Sequence, residues 1–311
     1  MAPAFEGIYV PNVTPFVDGR LDRPGLERVL GHLIDNGVDG VVPTGTTGET
    51  ATLTDEEKRE GWAASVEFAA GRVPVIAGAG TNDTRHTIEL TAMARDSGAD
   101  AVLLITPYYN VPTQDGLYAH FAAVAASTEL PILLYNIPGR TGVNLEPATT
   151  ARLAAIDNIV GVKESSNLEQ IMAVIASTEE FSVLCGEDQL ILASACLGAH
   201  GAISASVHIH PASFVAMFWL VREGRLGEAR TLQYLFQPTI KLLFSESSPS
   251  PLKAACEMLG LCTKEVRLPL LPATDELTAA LRRELVHLSD ELNRLGLRRT
   301  NRASTPSAVI A

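Results

Sequence analysis

Eight short apolar runs, each followed by a stretch with helical patterning, constrain this chain more than any other feature. They cover residues 7–15, 40–46, 73–80, 101–109, 131–138, 159–164, 181–187 and 201–206. Each is apolar on both faces, as parallel strands covered by helices must be. Such alternation predicts a (β/α)8 TIM barrel. A doubly wound sheet is the alternative. Its phosphate fingerprint is missing, because Gly78-Ala-Gly80 lacks a third glycine and an acidic partner. After residue 206 helical periodicity takes over, across 211–223, 225–244, 251–259 and 275–295, which is more than one barrel helix needs. The expected organisation is a barrel over 1–224, a C-terminal helical appendage over 225–297 and a disordered tail over 298–311, rich in Ser, Thr, Arg and Pro. Local signals agree with the helices. Thr54-Asp-Glu-Glu57 reads as a capping box, Asn82 or Asp83 as an N-cap, and Gly37 and Gly98 as helix-terminating glycines.

Composition narrows the partners. The 311 residues are 46% hydrophobic, enough for one large core. Lys and Arg number 24 against 36 Asp and Glu, a net charge of −12. No basic run is present, which argues against nucleic acid as a partner. An anionic small molecule stays open, since one arginine in a cleft can hold a carboxylate. Only five of the basic residues are lysines: Lys58, Lys163, Lys241, Lys253 and Lys264. Cys185, Cys196, Cys256 and Cys262 form no CxxC pair and are expected to be buried free thiols in a reducing compartment. The first residues carry no signal-peptide pattern, and no apolar run approaches the ~18 residues of a membrane span. The expectation is a cytoplasmic protein with no membrane partner.

In such a barrel the active site lies where the strands end, so polar residues at strand ends are the candidates. Lys163 closes the run Ile159-Val-Gly-Val-Lys163. If Val160 and Val162 face the helices, alternation turns Gly161 and Lys163 into the barrel mouth. A buried lysine there is suited to a Schiff base, because burial favours the neutral amine. The alternative is a lysine paired with Glu164. Tyr135 ends the neighbouring run and offers a phenol as proton shuttle, with Thr46 able to complete a hydroxyl relay. It could equally be a rim tyrosine. Thr46 and Thr47, between Gly45 and Gly48, form a turn whose N–H groups suit a carboxylate, or a bare turn before the next helix. Arg140, in Pro138-Gly-Arg-Thr-Gly142, has the fork for a second carboxylate, or is a surface arginine. Tyr108 and Tyr109 could form an aromatic lid or plug a neighbouring subunit. His208-Ile-His210 must be weighed as a metal pair, but it follows the eighth strand and no second cluster accompanies it.

Taken together, Gly45-Thr-Thr-Gly-Glu-Thr-Ala-Thr-Leu53, Thr106-Pro-Tyr-Tyr-Asn110, Tyr135-Asn-Ile-Pro-Gly-Arg-Thr-Gly142 and Val162-Lys-Glu164 resemble the dihydrodipicolinate synthase and N-acetylneuraminate lyase family. The resemblance spans about residues 7–270. It implies a lyase whose Lys163 forms a Schiff base with pyruvate, without metal or other cofactor. Tyr135 would donate and accept the proton. Thr46 would complete a relay with Tyr109 from the neighbouring subunit. Thr47 would hold the pyruvate carboxylate, and Ile203 would contact pyruvate through its backbone. Arg140 would bind the carboxylate of L-aspartate semialdehyde. The reaction implied is condensation to 4-hydroxy-tetrahydrodipicolinate, in lysine and diaminopimelate biosynthesis, by a homotetramer built as a dimer of dimers. Thr46-Thr47 and the Pro-x-Arg-Thr loop match the synthases, where the lyases usually carry Ser-Thr. Two departures bear on the second substrate: Glu-Ser-Ser-Asn-Leu after Lys163, and Ser248 where synthases often carry Asn. His86 stands where lysine-sensitive members place an acid, so inhibition by lysine is expected to be weak; half-inhibition at sub-millimolar lysine would contradict this. The other readings are a related pyruvate-dependent 2-oxo-acid aldolase, a non-catalytic metabolite-binding paralogue, and a metal-dependent hydrolase resting on His208 and His210.

Overall fold

The computed structural model describes residues 4–296, in which the eight runs form one sheet curled into a barrel. Its strands are β1 (Gly7–Val10), β2 (Gly40–Val41), β3 (Ile76–Gly78), β4 (Ala101–Ile105), β5 (Ile132–Asn136), β6 (Ile159–Glu164), β7 (Ser182–Cys185) and β8 (Gly201–Ile203). All neighbours are parallel, in the order β2-β1-β8-β7-β6-β5-β4-β3. A parallel bridge between Val41 and Val75, with Gly78 N donating to Pro43 O at 3.0 Å, brings β2 back to β3. Several strands are shorter than their apolar runs. Pro43 and Pro107 have no N–H for a ladder, and Thr44 takes a left-handed backbone (φ 55°). The leftover residues become the loops at the strand C-termini.

A helix follows each strand: α1 (Arg23–Asp35), α2 (Asp55–Ala69), α3 (Thr84–Asp96), α4 (Gln114–Ala125), α5 (Pro147–Ala154), α6 (Leu168–Ser177), α7 (Ile191–Cys196) and α8 (Pro211–Arg222). Thr54 and Glu57 make the reciprocal capping box of α2. Asp83 caps α3, while Asn82 donates instead to Tyr108 O at 3.1 Å. Gly37 and Gly98 take the left-handed conformation after α1 and α3 (φ 90° and 84°). Between β1 and α1 the chain makes a small hairpin, Phe16–Val17 against Arg20–Leu21. Asp18 and Gly19 supply its two positive φ angles, 51° and 73°.

Three helices follow the barrel: α9 (Leu226–Leu243), α10 (Ser250–Met258) and α11 (Asp275–Arg294). Phe236 of α9 stacks on Phe214 of α8 at 4.0 Å between ring centroids, which ties this region to the barrel. Residues 298–311, expected to be a disordered tail, lie outside the described residues. The core has two parts. One lies between sheet and helices. The other fills the barrel interior with Phe5, Tyr9, Ile76, Leu133, Tyr135 and Ile203 among its members.

One expectation needs correction, and one lysine is placed unexpectedly. Cys185, Cys256 and Cys262 are buried free thiols, but Cys196 is exposed, because it ends α7 on the solvent side. Lys253, in an ordinary helical pattern, is fully buried. Among the described residues no helix is long and apolar enough to cross a membrane.

Candidate active site

The register of β5 and β6 sets Tyr135 directly beside Lys163. The Lys163 ammonium lies 4.1 Å from the centroid of the Tyr135 ring. Both side chains are nearly buried, at 6% and 5% exposure. Contact with the ring face orients the amine. The route by which β6 achieves this differs from simple alternation. Ile132 pairs with Ile159 and Leu133 with Gly161, so Val160 is an extra residue, a bulge. Val160 therefore packs toward the interior, whereas Val162 joins the outer core. Lys163 still points inward, three residues after Val160.

Glu164 is not the partner of Lys163. It is fully buried on the opposite face, accepting from Asn136 Nδ2 at 3.0 Å and from Gln170 Nε2 at 2.9 Å. Burial pushes its carboxyl up, against these bonds. Among the described residues Lys163 has no carboxylate within 4.0 Å. The acids that do feel its charge come from the turn after β7. Glu187 is pushed up by burial and by Asp188, and is drawn back down by Lys163 and Arg140. Asp188 is also pushed up by burial and drawn down by Lys163; it accepts the Ser206 N–H at 2.6 Å. Asp188 thereby joins the turn after β7 to the turn after β8, next to Ile203.

Gly186 opens that turn. A Cβ there would overlap Ser165 Oγ and stand 2.9 Å from Lys163 Cε. Only glycine leaves the lysine its path into the mouth. Gly186, Glu187 and Asp188 are not among the candidates that the sequence pattern singles out. Three consecutive residues Gly-Glu-Asp at the end of an apolar run were the available signal.

The turn after β2 carries Thr46 and Thr47, the first half-buried and the second buried. Gly48 N and Thr50 N both donate to Gly45 O, at 3.0 and 3.3 Å. Among the described residues the N–H groups of Thr46 and Thr47 have no acceptor, so both are free to meet an anion. The turn is bracketed by two left-handed residues, Thr44 (φ 55°) and Glu49 (φ 56°). Each costs on the order of 1–3 kcal/mol and persists only where surroundings enforce it. Thr44 is held by its hydroxyl, which accepts from Trp62 Nε1 and donates to Gly78 O at 3.1 Å. Gly48 is held by Thr14, whose hydroxyl donates to Gly48 O at 2.7 Å.

Arg140 lies in a single helical turn, Pro138–Thr141, directly after β5. It is exposed and, among the described residues, has no carboxylate partner. Tyr109 stands on the loop after β4, 90% exposed and with φ 73°. Its N–H reaches Thr141 O at 3.4 Å, which ties this loop to the Arg140 turn. Ile203 is buried at the end of β8 within the interior cluster.

Two other candidates resolve differently. His208 is fully buried, and both ring nitrogens are occupied: Nδ1 donates to Ala205 O at 2.8 Å and Nε2 accepts from Val13 N at 3.3 Å. Its role is structural. Among the described residues no group of three or more His, Cys, Asp or Glu side chains is placed to hold a metal ion. His86 does have an acid beside it, Asp55, at 2.9 Å. That carboxylate also accepts from Lys58 at 3.2 Å, and these partners outweigh burial to hold it below its usual range.

Comparison with known proteins completes the picture. The model of the dihydrodipicolinate synthetase family matches residues 4–288. The 4-hydroxy-tetrahydrodipicolinate synthase of Methanothrix thermoacetophila is 45% identical over 290 residues, 92% of this chain and 98% of the relative. The solved 4-hydroxy-tetrahydrodipicolinate synthase of Methylacidiphilum fumariolicum SolV superposes with a TM-score of 0.91 at 41% identity, covering 93% of this chain and 98% of that one. A chloride-inhibited dihydrodipicolinate synthase from Acinetobacter baumannii, solved with pyruvate, gives 0.89 at 40% identity over 91% of this chain and 98% of its own.

Proposed function

The chain belongs to the dihydrodipicolinate synthetase family, and on that premise we propose that it condenses pyruvate with L-aspartate semialdehyde to 4-hydroxy-tetrahydrodipicolinate. It is a lyase of the class I aldolase type, acting in lysine and diaminopimelate biosynthesis. The observation that carries the mechanism is the Tyr135–Lys163 pair, both buried on adjacent parallel strands with the ammonium 4.1 Å from the ring centroid.

Neutral Lys163 attacks the ketone carbon of pyruvate and forms a carbinolamine. Tyr135 protonates its hydroxyl, water leaves, and the Schiff base remains. Loss of a methyl proton gives the enamine, whose carbon attacks the aldehyde of the second substrate. The amino group of that substrate then displaces Lys163 from the imine carbon and closes the ring. Thr46 and Tyr109 pass the proton between Tyr135 and the outside. The free N–H groups at Thr46 and Thr47 hold the pyruvate carboxylate, and the Ile203 backbone lies against it. Arg140 binds the carboxylate of the semialdehyde through its fork. Every step uses side chains and substrate alone, with no metal or other cofactor.

Tyr109 belongs to this machinery through a second copy of the chain. Its ring is 90% exposed in one protomer, next to exposed Tyr108 and Val111, as a residue that completes a partner's relay would be. The assembly we propose is a homotetramer made of two such dimers. A cytoplasmic setting suits the four free cysteines.

Incubation with pyruvate and borohydride, followed by mass mapping, tests the central claim. We expect the reduced adduct on Lys163 and none in Lys163→Ala. Absence of any adduct in the wild type would remove the Schiff-base reading altogether. A coupled assay with aspartate semialdehyde then decides the second substrate; turnover only with another aldehyde would move the chain to a related 2-oxo-acid aldolase.

A further inference from the structure

Far from the reactive lysine in sequence, a second lysine is more deeply buried. Lys253, on α10, and Glu49, at the end of the Thr46–Thr47 turn, have fully buried side chains, and Lys253 Nζ meets Glu49 Oε1 at 2.7 Å. The ammonium also donates to Thr14 O at 2.8 Å and sits 4.3 Å from the centroid of the Phe16 ring. The other carboxylate oxygen, Glu49 Oε2, accepts the backbone N–H of Arg267 at 2.9 Å. Arg267 continues the grip, donating to Thr52 O at 2.9 Å and pairing with Glu57 at the start of α2.

Such a pair is a poor way to gain stability, because desolvating two charges consumes most of their attraction. Its geometry serves something else. Both oxygens of Glu49 are held from the C-terminal region, and Glu49 is one of the two left-handed residues that bracket the turn. Thr14 is shared: its carbonyl accepts from Lys253, and its hydroxyl holds Gly48 O. The contacts therefore run from α10 to Glu49 and, through Thr14, to the Gly48 carbonyl, one residue from Thr47.

We propose that Lys253 is a positioning residue for the reaction, its buried ion pair with Glu49 fixing the turn that presents Thr46 and Thr47 to the pyruvate carboxylate. This rests on the Schiff-base reading for its functional part. It gives the C-terminal helices a task inside the active site although none of their residues touches substrate.

The test uses the full chain and the paired variant Glu49→Gln/Lys253→Met, which removes both charges together and leaves neither stranded. Amide hydrogen exchange reads the turn directly. We expect the peptide covering residues 44–50 to exchange at least tenfold faster than wild type, with the peptide of β5 unchanged. In borohydride trapping, pyruvate at half-saturation should rise about tenfold at a temperature where both proteins are folded, a shift that lowered stability alone does not produce. Should the paired variant fail to fold, Glu49→Asp keeps both charges, shortens the arm by one methylene and is read in the same way. Unchanged exchange in residues 44–50 overturns the proposal. So does unchanged half-saturation in a variant whose wild type traps pyruvate. If the wild type traps none, the Schiff-base reading fails by itself and exchange alone decides the positioning.

Discussion

Tyr135 and Lys163 meet because two parallel strands end in register, and Gly186 leaves the lysine stem room to turn inward. In the proposed mechanism the phenol's task is proton transfer. We expect Tyr135→Phe to lower kcat by about 10²–10⁴-fold, the usual worth of a positioned acid–base group. The ring face that contacts Lys163 survives the change, so the borohydride adduct should still form, slowly. A steady-state kcat within threefold of wild type would remove Tyr135 from the relay. At this scale the sequence was informative where chemistry and pattern conflicted. A lysine closing an apolar strand stands out. Lys253 does not, because one polar residue in a helical pattern reads as solvated, and only the packing of α10 against the Glu49 turn reveals that it is buried. Asp188 was unreadable for a similar reason: its partner, Ser206, comes from another strand end.

Among the elements, position was more legible than extent. All eight apolar runs contain a barrel strand, and the α2 capping box is present. The strand ends were not foreseen, since they depend on prolines and left-handed residues that release the chain into loops. The bulge at Val160 arises only from pairing with β5, so no pattern along β6 alone could show it. The hairpin after β1 did have a signal, the turn pair Asp18-Gly19 between Val17 and Arg20. His208 illustrates how an element end can carry pH dependence. Its two ring nitrogens serve one donor and one acceptor bond, which only the neutral ring can satisfy, and burial pushes it down to about 4. Unfolded, the ring takes a proton near pH 6.5; folded, it resists until about pH 4. The stability it contributes is thus present above pH 6.5 and lost as the pH falls toward 4, on the order of 3 kcal/mol. His120, also pushed down to about 4 by burial, adds in the same direction. We expect Tm to drop between pH 7 and pH 4.5, and to drop less steeply in His208→Gln. Equal slopes in the two melting series would contradict the assignment.

For the whole molecule, barrel and C-terminal helices act as one unit, joined by the Phe214–Phe236 stack and by the Lys253–Glu49 pair. In the proposed assembly a second copy enters through Tyr109. If its ring completes a neighbouring site, Lys163→Ala and Tyr109→Phe, each nearly inactive alone, should regain activity when refolded together. The site of the Tyr109→Phe subunit then has its own lysine and its partner's tyrosine. No recovery over the separate variants would mean that Tyr109 serves its own barrel. The placement of the five lysines has a practical side as well. Lys163, Lys253 and Lys58 are buried, while Lys241 is exposed and Lys264 partly so. The outer basic charge is therefore carried by arginine. To an amine-directed reagent this molecule is nearly blank, with its two reachable lysine side chains both in the C-terminal region. Tethering through them would anchor the enzyme by that region and spare Lys163, the lysine of the proposed Schiff base.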